Sequence, residues 1–137
     1  MNQNLMIIDD AKDQLYLMQM LVKTLAPEIA ITAFVNADEA LTNLRKAGVS
    51  PPRVILMDLK LPGKNGLDLL KEIKLDPKLK KIPVCLFSNG ALQEDVCQAY
   101  EHGASFYFKK PIGLSELKNF TAHFIELWFH YASICER

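Results

Sequence analysis

Five short apolar runs, separated by stretches with helical spacing, constrain this chain more than any other feature. They are Leu5–Ile8, Ile29–Phe34, Val54–Met57, Val84–Phe87 and Phe106–Phe108. A short apolar run bounded by turn residues reads as a buried parallel strand. Between these runs, Asp13–Leu25 carries Leu15, Met18, Leu21, Val22 and Leu25 at helical spacing. Further helices are expected near Ala37–Lys46, Gly66–Lys74 and Leu92–Glu101, with a long one from about Ser115 to Ala132. Pro27, Gly48, Pro52, Pro62, Pro77, Pro83 and Gly103 fall between the elements, as breakers should. Asp38 and Ser115 stand where N-caps are wanted. Such alternation implies a parallel sheet covered by helices on both faces. Right-handed crossovers then narrow the α/β topology to a doubly wound sheet.

Three of the runs end in charge. Leu5–Ile8 is followed by Asp9 and Asp10, Val54–Met57 by Asp58, and Phe106–Phe108 by Lys109, Lys110 and Pro111. Open parallel sheets bind ligands at the carboxyl ends of their strands, so three carboxylates and an ammonium group are expected at one rim. Alone, Asp9-Asp10 could cap the next helix, and Asp58 could be a solvated turn residue. Gathered, the carboxylates repel one another and stay ionised at neutral pH only around a cation. Oxygen-only ligands in a partly open site point to Mg²⁺. Lys110 supplies a mobile positive point charge for an anionic group, whereas alternation sends Lys109 to the opposite face.

Bulk properties exclude several classes. The 137 residues suit one domain spanning 1–137. Sixteen basic residues balance sixteen acidic ones, so no global field favours nucleic acid or anionic lipid. No stretch approaches the roughly 18 consecutive apolar residues of a membrane span, and the N-terminus lacks the pattern of a secretory signal. Cys85, Cys97 and Cys135 form no metal-ligand or CxxC spacing, which suggests reduced thiols in the cytoplasm. His102, His123 and His130 share no ligand spacing and read as surface residues.

With these pieces in order, the chain resembles the receiver domain of two-component response regulators over essentially its whole length. The resemblance rests on Asp9-Asp10, on Asp58, and on the following Leu59-Lys60-Leu61-Pro62-Gly63-Lys64-Asn65-Gly66 loop. It rests also on Ser88 closing the fourth strand, on Lys110-Pro111 closing the fifth, and on Tyr107 three residues before Lys110. It implies a flavodoxin-like, five-stranded sheet of order 2-1-3-4-5 with five helices on both faces. It also implies a phosphoacceptor rather than an enzyme, taking a phosphoryl group from a sensor histidine kinase or a histidine phosphotransfer protein onto Asp58. By the same resemblance Asp10 and Asp58, Asp9 through water, and the Lys60 backbone carbonyl hold Mg²⁺. Lys110 and the Ser88 hydroxyl bind phosphoryl oxygens, and the Lys110–Pro111 bond is cis. Positioning and electrostatics dominate such chemistry, so few side chains suffice. Signalling is expected when Ser88 moves to the phosphoryl group and the vacated space admits Tyr107. Ser88 could instead be a turn residue, and Tyr107 plain core. Lys60 and Asn89 depart from the family's usual pattern where attacking water is controlled.

The last helix bears on output. Leu117, Phe120, Phe124, Leu127, Trp128 and Tyr131 form an expected core-facing stripe. Ile125 and Phe129 widen it into a shoulder that either packs under a frayed tail or meets a partner. Small stand-alone regulators of the cyanobacterial-phytochrome type look similar here, and a homodimer through this helix is the hypothesis. No output domain is expected after Pro111, and the downstream protein is not named by the sequence. Rival enzymes on this fold lack support: no Gly-rich phosphate loop is present, and Lys60 stands where a dehalogenase-type phosphatase needs a second acid. A pseudo-receiver that binds partners without phosphorylation is the remaining alternative.

Overall fold

The computed structural model describes residues 2–136. Its strands are β1 (Asn4–Ile8), β2 (Ala30–Phe34), β3 (Val54–Asp58), β4 (Val84–Ser88) and β5 (Phe106–Lys109). They alternate with the helices α1 (Lys12–Leu25), α2 (Ala37–Leu44), α3 (Gly66–Leu75), α4 (Gln93–Glu101) and α5 (Gly113–Ile125). Neighbouring strands pair in parallel in the order β2-β1-β3-β4-β5, the doubly wound order expected.

The central strands read as continuous apolar runs because helices cover both of their faces. Alternation along each strand divides the core. Met6, Ile8, Ile55, Met57 and Leu86 face α2 and α3, which bury Ala40, Leu41, Leu69, Leu70 and Ile73 against them. Leu5, Ile7, Leu56, Cys85 and Phe87 face the other way, beneath Met18, Val22, Leu117, Phe124 and Trp128. Each large aliphatic side chain buried in this way contributes about 1.5–3 kcal/mol. In-register pairing sets Ile8 beside Met57, Asp58 beside Phe87 and Ser88 beside Lys109. The residues just beyond these pairs therefore emerge together at one rim.

Helix starts differ from the sequence expectation. Asn36, not Asp38, caps α2: its side chain accepts the Glu39 N–H at 2.8 Å. Asp38 lies in the first turn, where its charge meets the positive end of the helix dipole. Ser115 caps nothing, because α5 begins earlier. Gly113 adopts φ +82°, which lets the chain turn into the helix directly after Ile112. The Lys110–Pro111 bond is not cis, and no described peptide bond is.

The final helix also departs from its expected course. It is α-helical to Ile125, and then Glu126–Tyr131 widens into a π-helical turn, with the Ala132 N–H donating to the Leu127 carbonyl at 2.8 Å. The extra residue in the turn re-phases the stripe. Leu117, Phe124 and Trp128 are buried, but Leu127 and Tyr131 are exposed. Ile125 and Phe129, expected as an outer shoulder, are instead half-buried against the core. Arg53, at the start of β3, holds this turn in place. Its Nε donates to the Trp128 carbonyl at 2.7 Å and its guanidinium to the Ala132 carbonyl at 2.8 Å. No described helix is long and apolar enough to cross a membrane.

Candidate functional site

The C-terminal rim gathers the charges that the sequence placed at strand ends. Asp9 has no exposed surface, and Asp58 and Lys110 are each 7% exposed. Asp10 stands in solvent. Lys110 Nζ lies 2.9 Å from Asp9 Oδ2 and donates to Asp9 Oδ1 at 3.1 Å and to Asp58 Oδ2 at 3.0 Å. One ammonium group thus joins the acids of two different strands, and it sits 5.2 Å from the centre of the Phe87 ring. Local backbone completes each carboxylate: Asp9 Oδ1 accepts the Ala11 N–H at 2.9 Å, and Asp58 Oδ1 accepts the Lys60 N–H at 3.2 Å. Main-chain pairing carries Lys110 into place, since its N–H donates to the Ser88 carbonyl at 3.0 Å.

Burial pushes the Asp9 carboxyl above the usual carboxylate range, against the opposing pull of its bonds to Lys110 and Ala11. Burial alone would lower Lys110, but hydrogen bonds to Asp9 and Asp58 carry it above the usual ammonium value. Charge pairing therefore wins over desolvation at the lysine, and desolvation wins at Asp9.

Ligand oxygens of Asp9, Asp10 and Asp58 lie within 4.8 Å of one another. Asp9 Oδ2 makes no hydrogen bond of sound geometry despite its closeness to Lys110. An all-oxygen set whose buried Asp9 Oδ2 has only the Lys110 ammonium beside it fits a hard divalent cation.

Ser88 is buried at the end of β4, and its Oγ lies 2.7 Å from the Tyr107 hydroxyl. Tyr107 is therefore already turned toward Ser88, whereas the sequence reading has it enter only after Ser88 moves. Burial raises the Tyr107 phenol, and the Ser88 bond offsets this in part. Phe106 and Phe108 flank it on the opposite face of β5 and reach the last helix. Phe108 packs edge-on to Phe120 at 5.2 Å, and Phe106 edge-on to Trp128 at 6.2 Å. Lys60, Asn89 and Lys109 are exposed, and Lys60 touches Asp58 through its backbone N–H. His102, His123 and His130 are exposed.

Sequence reasoning missed Gly66 as a site residue. A Cβ there would press on the Asp58 carbonyl oxygen and stand 3.0 Å from Leu59 Cα. Asn65 sets this close approach by capping α3, accepting the Asp68 N–H at 2.9 Å while Asp68 accepts the Asn65 N–H at 3.3 Å. The Asn-x-x-Asp spacing was the available signal.

Comparison with known proteins accords with this geometry. The sequence profile described as the response regulator receiver domain matches residues 5–122. The chemotaxis protein CheY-3 of Vibrio cholerae is 31% identical over 117 residues, covering 85% of this chain and 87% of that protein. The response regulator Rcp1 of Synechocystis is 29% identical over 134 residues, covering 95% and 91%. Among solved structures, the phosphorylated cyanobacterial phytochrome response regulator RcpA superposes with a TM-score of 0.92 at 30% identity, covering 98% of this chain and 99% of that one. The Mn²⁺-bound form of Rcp1 gives a TM-score of 0.88 at 27% identity, covering 97% and 99%. With the profile matched along most of its length, this chain belongs to the response regulator receiver domain family.

Proposed function

We propose that Asp58 is the aspartate that accepts the phosphoryl group in this receiver domain. Members of the family are phosphoacceptors of two-component signalling, charged by histidine kinases or phosphotransfer proteins, and bind a divalent metal at the acidic pocket. The observation that carries the assignment is the single Lys110 ammonium bound to both Asp9 and Asp58. Of the two carboxylates, Asp58 leaves its Oδ1 restrained only by one 3.2 Å backbone bond, while Asp9 is wholly buried.

In the transfer, an Asp58 carboxylate oxygen forms the new P–O bond as the P–N bond of the donor phosphohistidine breaks. The imidazole nitrogen keeps the electron pair. Asp9, Asp10 and Asp58 would hold Mg²⁺, with the Lys60 carbonyl as a further ligand. When bound there, Mg²⁺ would supply positive charge to offset the negative charge of the phosphoryl group. Lys110 and the Ser88 hydroxyl bind the phosphoryl oxygens. Ser88 can accept a hydrogen bond from the Tyr107 hydroxyl while donating one to a phosphoryl oxygen, since a hydroxyl both donates and accepts. Tyr107 thereby senses the phosphoryl state. Phe106 and Phe108 pass a displacement of β5 to the last helix, so output is a population shift of the surface formed by α4, β5 and that helix.

On this reading the chain acts as a single cytoplasmic receiver domain, residues 1–137, whose downstream partner is a protein. The outward Leu127 and Tyr131, rather than Ile125 and Phe129, offer the apolar contact for a homodimer through the last helix. Equilibrium sedimentation showing only monomer at high concentration, with and without a phosphoryl mimic, refutes the dimer. The phosphoacceptor is tested by incubation with a small phosphodonor and Mg²⁺, followed by intact-mass measurement. One added phosphoryl group, lost in Asp58→Asn, is expected. No addition at all favours the pseudo-receiver.

A further inference from the structure

Helix α4 is poorly anchored. Ala99 is its only fully buried residue, and Leu92 before its first turn is 70% exposed. Helices held by so little apolar contact open at low free energy. One polar contact ties α4 to the sheet: the Tyr100 hydroxyl oxygen accepts the backbone N–H of Tyr107 at 3.1 Å.

This bond exists because β5 is an edge strand. The Lys110 N–H points inward to the Ser88 carbonyl. Strand periodicity then turns the Tyr107 N–H outward, away from β4, where an edge strand has no ladder partner. The Tyr100 phenol fills that vacancy while remaining 48% exposed. Tyr107 is consequently held at two points: its backbone by Tyr100 of α4, and its side-chain hydroxyl by Ser88 at 2.7 Å.

We infer that Tyr100 is a positioning residue of the switch: its phenol oxygen holds the Tyr107 backbone where the Tyr107 hydroxyl reaches Ser88. The inference rests on reading Ser88 and Tyr107 as the pair that senses the phosphoryl group. Docking of α4 and the state of the phosphoryl site are then two ends of one connection. Whatever pulls α4 from β5 releases Tyr107, and whatever fixes Ser88 draws α4 in.

The test measures binding of beryllofluoride with Mg²⁺, followed by fluorescence of the single tryptophan, Trp128, whose ring contacts Phe106 of β5. Tyr100→Phe removes only the hydroxyl and is expected to weaken the mimic about fivefold, the effect of one ordinary hydrogen bond. In a Tyr107→Phe background, where the bond to Ser88 is gone, Tyr100→Phe is expected to have no further effect. Amide exchange at Tyr107 should also quicken in Tyr100→Phe while thermal unfolding is little changed. Additive losses in the double variant, or an unchanged affinity in Tyr100→Phe beside a weakened Tyr107→Phe, overturn the inference and leave Tyr100 a structural contact. If Asp58→Asn abolishes binding but neither tyrosine variant alters it, the sensing role of Tyr107 itself fails, and the inference with it.

Discussion

Replacement of Gly66 by alanine should damage the phosphoryl site without touching a charged group. The added methyl meets backbone on every near side: the Asp58 carbonyl oxygen, Leu59 Cα at 3.0 Å and Asp58 C at 3.2 Å. No rotamer change relieves a clash with main chain. Nor can α3 retreat freely, because the Gly66 N–H donates to the Leu59 carbonyl at 2.7 Å and the Asn65–Asp68 capping box fixes the same turn. The cost should be that of overpacking a rigid site, about 1–3 kcal/mol. For a chain of this size each kcal/mol lowers the melting temperature by about 4 °C, so a fall of about 4–12 °C is expected. The chemical effect should be larger. Displacing the reacting carboxylate by about 1 Å costs up to ~10²-fold in rate. The assay is the rate of aspartyl phosphate formation with a small phosphodonor, read by intact mass well below the melting temperature of the variant. Gly63→Ala is the control. Gly63 adopts φ +70° with nothing within 4 Å of the added Cβ, so that change strains the loop without pushing on Asp58. Equal phosphorylation rates for Gly66→Ala and wild type would refute the reasoning, as would equal slowing in both glycine variants.

Three further outcomes follow from other contacts. Lys110→Met leaves the facing Asp9 and Asp58 without their cation and should cost about 3–5 kcal/mol in metal-free denaturant titrations; added Mg²⁺ should restore part of it, and no restoration would argue against a metal between these carboxylates. Arg53→Leu strips the Trp128 and Ala132 carbonyls of their donor and should cost about 2–4 kcal/mol, with Trp128 emission shifting to the red as the last turn loosens. Burial pushes the Cys85 thiol from its ordinary 9.0 up to about 12. Between these values the unfolded chain has released the thiol proton and the folded chain has not, so stability falls as pH rises from 9 towards 12. The loss approaches about 4 kcal/mol, and Cys85→Ala should flatten that part of the stability–pH curve relative to wild type.

Much of the architecture lay open in the sequence because its causes are local. Strands buried on both faces must be apolar throughout, so Leu5–Ile8, Val54–Met57 and Val84–Phe87 announced themselves. Charges at the ends of such runs can only stand at a rim, so the sequence alone places Asp9, Asp58 and Lys110 together. Spacing alone could not show that one ammonium group spans both acids, since Lys110 and Asp9 lie 101 positions apart in the chain. The π-helical turn after Ile125 was equally hidden. It depends on Arg53, distant in sequence, taking the Trp128 carbonyl, and by re-phasing the last turn it exchanged the exposures of Phe129 and Tyr131. Tyr100 and Gly66 belong to the same class: what matters in each is a backbone atom of another element. Apolar and charged periodicity is written into each segment, and it determined the sheet, its order of burial and the acidic rim. Only the tertiary structure decided which groups touch across strands, because hydrogen bonds and close approaches depend on distances of a few tenths of an ångström that no single segment contains.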